Sequence, residues 1–149
     1  MKASRILIDA LKRFEGFRAS AYRCPAGLWT IGYGHTSGVK RGDKISEAEA
    51  DRLLRRDLIA CEAYVEQLNV TCKQEKFDAL VDFCFNMGCE ALEHSTLLRK
   101  IRHCAPDAEV RAEFMRWVYA TVAGKKRVLD GLVKRRQWEA DRFFNKIQR

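Results

Sequence analysis

The chain reads as an α+β protein, mainly helical, in which a small antiparallel β-sheet lobe is joined by a long helix to a helical lobe. Three observations predict this. Apolar residues recur at helical spacing near the start and again through the second half. Residues 16–45 instead crowd Gly, Tyr, Trp, Thr, Ile and Val, with period two through Leu28, Trp29, Thr30, Ile31, Gly32 and Tyr33. A heavily charged helical segment separates the two textures, as expected of a helix that bridges lobes.

The first helix is expected over 5–15, with Ile6, Leu7, Ala10, Leu11 and Phe14 as its stripe, Ser4 as N-cap and Gly16 as its stop. Pro25-Ala26-Gly27 marks a turn inside the sheet lobe, placed at about 16–45. Ser46 and Glu49 form a capping box for the bridging helix, about 46–68, with Leu53, Leu54, Leu58 and Cys61 on its apolar side. Thr71 and Gln74 form a second box ahead of Phe77, Leu80, Val81, Cys84 and Phe85. That stripe is the core helix of a helical lobe spanning about 70–149, and Gly88 ends it. Shorter helices are expected at about 95–103, 107–119 and 132–147. The N-terminal helix is expected to pack on the helical lobe, and 1–149 to form a single domain.

Composition narrows the function. No apolar run approaches the ~20 residues of a membrane span, and the start, Met1-Lys2-Ala3-Ser4-Arg5, leads into an amphipathic segment rather than a signal peptide. Without an export signal, most of the six cysteines (24, 61, 72, 84, 89 and 104) are expected as reduced thiols, and as they contain no CxxC pair, no metal and no other cofactor is expected. The net charge is +8, and the stretch from Gly124 to Arg149 carries nine bases against three acids. A basic face of this kind attracts polyanions. Nucleic acid is not the expected partner, because no binding motif for it is legible.

Glu15 stands at the C-terminal end of the first helix, where the helix dipole and cover from Phe14 and Phe17 both favour a protonated carboxyl suited to general acid work. The words around it are more specific. Glu15-Gly16-Phe17, Ala21-Tyr22 and Trp29-Thr30-Ile31-Gly32-Tyr33-Gly34-His35-Thr36 closely resemble the active-site region of phage-type lysozymes, the endolysins of glycoside hydrolase family 24. The family pattern of Glu, eight residues, Asp or Cys, five residues, Thr falls on Glu15, Cys24 and Thr30. Similarity continues through Arg55-Arg56-Asp57-Leu58, Phe77 to Gly88, Ser95 to Lys100, Arg116-Trp117-Val118-Tyr119 and Gly131 to Arg136.

The resemblance implies a phage-lysozyme-like fold. It also implies a muramidase that cleaves the β-1,4 bond between N-acetylmuramic acid and N-acetylglucosamine in bacterial peptidoglycan, causing host cell lysis. Glu15 would be the acid, Cys24 and Thr30 would handle the water, and the outcome would be inversion. Cys24 stands where Asp is commoner, and its thiolate is a strong nucleophile, so inverting and retaining outcomes both stay open. Thr36, Phe85, Thr96 and Gly131 match substrate-contact positions, and His35 and Asp57 match a structural ion pair. Tyr22, Trp29, Tyr33 and Trp117 are sugar-stacking candidates. The same resemblance implies anionic envelope polymers as partners of the basic C-terminal region, a monomer, and accumulation in the host cytoplasm until a holin-type lesion gives access to the wall. The competing readings are a lytic transglycosylase using Glu15 alone, a Cys24–His35 peptidase or amidase, and an inactive wall-binding relative.

Overall fold

Ile6, Leu7, Ala10, Leu11 and Phe14 wind into one apolar stripe, and α1 runs over Arg5–Glu15 with Leu7, Ile8, Ala10 and Leu11 buried. It stops at Gly16, which takes φ +70° while its amide still donates to Lys12 O at 3.0 Å. The computed structural model describes residues 1–146. Its contacts divide the chain into two units, Arg5–Ala60 and, separately, Met1–Ser4 with the chain from Cys61 onward. The first helix falls within the unit that holds the sheet.

In the first unit β1 (Arg18–Arg23) pairs antiparallel with β2 (Trp29–Gly32), with an irregularity in register between Arg18 and Tyr22. The Pro25-Ala26-Gly27 turn closes this hairpin: Gly27 donates to Cys24 O and Cys24 to Leu28 O. Beyond β2 the chain reverses at once, Ile31 and His35 exchanging backbone hydrogen bonds of 2.9 Å around Gly32, Tyr33 and Gly34. The reversal needs φ +64° at Gly32 and +81° at Gly34. The bridging helix α2 covers Glu47–Leu68 and its residues fall in both units. Ser46 Oγ accepts from the Glu49 amide and donates to the Glu49 carboxylate, which secures the helix start.

The second unit is built on α3 (Gln74–Met87), buried from Phe77 to Cys84, and α7 (Asp130–Phe143). Four charged side chains tie these helices together: Arg135 forks onto Asp82 at 2.9 and 3.0 Å, and Arg142 holds Asp78 Oδ2 at 2.8 Å. Arg136, fully buried, lies over the Phe83 ring and bonds Asn86 and Glu139. Around this frame lie α4 (Cys89–Glu93), α5 (Thr96–Arg102) and α6 (Asp107–Phe114). Among the described residues no helix is long and apolar enough to cross a membrane.

Several boundaries differ from the sequence-based expectation. The Thr71/Gln74 capping box does not form: Thr71 Oγ1 accepts from the Lys73 amide, while Gln74 reaches Lys2 O and Asp78. Gln74 finds better partners in the N-terminal segment than at its own helix start. The helix expected over 107–119 ends at Phe114, because the β-prone run Tyr119–Val122 (β3) pairs with Lys125–Val128 (β4) in a second hairpin. The last helix starts two residues earlier than expected and ends at Phe143; position 147 and Arg149 lie outside the described residues. The basic C-terminal stretch is also not one free face. Arg135, Arg136 and Arg142 are buried in ion pairs, while Lys125, Lys126, Arg127, Lys134 and Lys146 are exposed.

Candidate active site

The end of α1 and the sheet that follows it position the first group of residues. Glu15 is the last residue of α1 and is half-buried. A methyl group added at Gly34 would lie 3.1 Å from Glu15 Oε2, so the carboxyl rests against backbone that only glycine leaves open. The positive φ of Gly34 makes the same demand independently. Phe17 supports this region by packing on Tyr33, ring centroids 5.6 Å apart, with Lys12 Nζ 5.5 Å from the Tyr33 ring.

Cys24 follows β1 and is half-buried; Thr30 lies buried in β2. The hairpin turn brings the two side chains together. Hydrogen bonds from the backbone at Leu28 and from the Thr30 side chain draw the Cys24 thiol below its ordinary range. Thr30 Oγ1 also donates to Leu28 O at 3.0 Å. A hydroxyl has one proton, so Thr30 serves the carbonyl and the sulfur in turn, and only the second bond lowers the thiol.

His35 Nδ1 lies 2.8 Å from Asp57 Oδ2, and its Nε2 lies 2.9 Å from Ser37 O. Both ring nitrogens thus face oxygens. With those two bonds made, His35 is tied to α2 and its own loop. Lys12 and Arg55 both pair with Asp51, the former at 2.7 Å, and hold its carboxyl at about 2. Thr36 stands exposed just beyond His35.

The remaining sites predicted from sequence lie in the other unit. Phe85 is half-buried on α3, Thr96 opens α5, and Gly131 is the exposed second residue of α7. Thr96 lines a recess of about 440 Å³ that also involves Trp117, Tyr119, Arg116 and Lys126. Trp117 packs edge-on against Phe83 at 5.3 Å while lining that recess. Tyr22 and Trp29 lie beneath Arg18 and Arg23, and Tyr33 is buried. Sequence reasoning did not place Lys126 beside Thr96 and Trp117, because it read no strand in that segment. The Gly34 contact with Glu15 was also missed. Two close glycines after a strand were its signal.

The phage lysozyme family profile matches residues 12–139. The chain is 42% identical over 134 residues to an endolysin of Acyrthosiphon pisum secondary endosymbiont phage 1, covering 89% of this chain and 91% of that protein. Among solved structures, the endolysin from Escherichia coli O157:H7 phage FAHEc1 matches with a TM-score of 0.90 at 35% identity, over 100% of this chain and 97% of that one. The muramidase domain of SpmX from Asticaccaulis excentricus gives a TM-score of 0.88 at 38% identity, over 95% and 97%.

Proposed function

We propose, from the premise that this chain belongs to the phage lysozyme family, that it is an endolysin muramidase hydrolysing the β-1,4 bond between N-acetylmuramic acid and N-acetylglucosamine of peptidoglycan. The observation that carries the reading is the pairing, in one unit, of Glu15 seated against Gly34 with a Cys24–Thr30 couple on the neighbouring hairpin. Glu15 gives its proton to the leaving glycosidic oxygen as positive charge develops on the sugar ring. Thr30 and Cys24 hold a water for attack on the opposite face of the anomeric carbon, and the product is inverted.

One observation supports a second route. The hydrogen bonds that lower the Cys24 thiol also ready a thiolate, which could attack the anomeric carbon itself and form a glycosyl-enzyme that water then opens with net retention. Thr30 would have to turn its proton from Leu28 O to the sulfur for this route, giving up the bond seen here. The first route keeps that bond and is the one we adopt. Thr36, Phe85, Thr96 and Gly131 are the further glycan contacts that this reading carries.

The test is a digest of purified peptidoglycan followed by mass spectrometry of the fragments. New reducing N-acetylmuramic ends are expected. Anhydro ends would replace hydrolysis by transglycosylation, and free peptides would replace the glycosidase by an amidase or peptidase.

A further inference from the structure

The β3–β4 hairpin is a small element with no cover. Ala123 and Gly124 both take positive φ (51° and 78°), the pattern of a tight two-residue turn that fixes the strands rigidly. The register pairs Tyr119 with Val128, Ala120 with Arg127, Thr121 with Lys126 and Val122 with Lys125. Cross-strand partners share a face, so each face carries cations beside apolar groups. Neither face is buried: every residue from 121 to 131 is exposed. Tyr119, Val122, Val128 and Leu129 are four of the seven large hydrophobic residues that stand exposed among the described residues. Between Glu113 and Asp130 the chain has four cations and no acid. A two-stranded hairpin gains little stability alone in water, and exposing aliphatic side chains on it gains none.

We propose that this hairpin is a docking surface for an anionic lipid bilayer. A hydrated polyanion would use Lys125, Lys126 and Arg127 but has no use for Val122, Val128 and Leu129 beside them. The headgroup region of a bilayer takes both, with aliphatic and aromatic groups entering the interface while the basic heads meet lipid phosphates. Lys126 already lies over the Tyr119 ring at 4.8 Å, so that the aromatic and the charge are presented together. Tyr119 and Lys126 also line the recess beside Thr96, so the test contains no wall material and reads vesicle binding alone.

The experiment is co-sedimentation of the full chain with vesicles of phosphatidylglycerol and phosphatidylcholine, and with phosphatidylcholine alone. Binding is expected to the anionic vesicles, falling with added salt, and not to the neutral ones. Each basic residue near an anionic leaflet contributes about fivefold to affinity, so the triple change Lys125→Gln, Lys126→Gln and Arg127→Gln should weaken binding on the order of 100-fold. Val122→Ser should weaken it severalfold with all charges kept. Thermal unfolding of each variant confirms that the fold is retained. Equal binding by the triple variant, insensitivity to Val122→Ser, or binding to soluble anionic wall glycan but not to vesicles would each overturn the proposal.

Discussion

At the scale of single residues, Glu15, Cys24 and Gly34 make demands that can be separated. Glu15→Gln keeps shape and removes the transferable proton, so lysis should fall by at least about 100-fold with the unfolding midpoint unchanged. Retained activity in a folded variant would remove Glu15 from the acid role. Gly34→Ala acts on the same carboxyl by position. Its methyl would lie 3.1 Å from Oε2 on backbone at φ +81°, so the carboxyl or the loop must shift. The expected result is a fall in kcat of about 10- to 100-fold and a loss of about 1 kcal/mol of stability. A variant that loses stability alone would show that Glu15 tolerates the shift. For Cys24, an α-configured first product from the β-linked chain supports oriented water, and a β product supports the covalent route. Cys24→Asp should stay active, because a carboxylate at that position can itself orient the water, and Cys24→Ala should lose much more.

At the scale of elements, what could be read from the sequence was what local patterning decides. The apolar stripe of α1, its Gly16 stop, the period-two strand before Tyr33 and the Ser46 cap of α2 all rest on neighbours in sequence. The Glu15, Cys24 and Thr30 spacing, carried by the end of α1 and the hairpin after it, became legible through its resemblance to the family pattern. Where distant segments compete, patterning fell short. Gln74 left its expected cap for Lys2 O, and the helix expected over 107–119 stops at Phe114, its last residue, Tyr119, opening a strand that pairs with Lys125–Val128. The basic run in α7 reads in sequence as one polyanion-attracting face, but Asp78 and Asp82 of α3 pair with two of its arginines. Those pairs predict large effects. Arg135→Met should cost about 3–5 kcal/mol by leaving the Asp82 carboxylate buried and uncompensated, and adding Asp82→Leu should recover much of it. Urea titration of the two variants checks this.

Glu139 behaves differently. Burial, followed by its contact with Asp82, pushes its carboxyl well above the ordinary range despite Arg136. An acid raised in the folded state stabilises below its unfolded value and loses that contribution as pH rises toward the folded one. Glu139→Gln fixes the uncharged form, so the wild type should lose stability relative to this variant as pH climbs from about 4.5. A stability difference independent of pH would show that Glu139 is ionised in the fold.

At the scale of the whole molecule, the quantity that acts at a distance is the formal net charge of +8, and burying Arg135 and Arg142 in ion pairs does not change that sum. It changes only where positive charge reaches the surface. A positive protein and an anionic wall attract over a range set by the Debye length, about 10 Å at 0.1 M salt and about 3 Å at 1 M. Encounter with intact walls should therefore slow steeply across this interval, with the loss in kcat/KM rather than kcat, since steering raises the rate of meeting and not the rate of bond cleavage. A short neutral chitooligomer has no charge to steer, and its hydrolysis should change little over the same range. The comparison separates steering from salt damage to the fold, because the Lys12–Asp51 and His35–Asp57 pairs of the first unit would weaken for both substrates alike. Equal salt dependence for walls and oligomer would place the effect inside the protein and remove the steering argument.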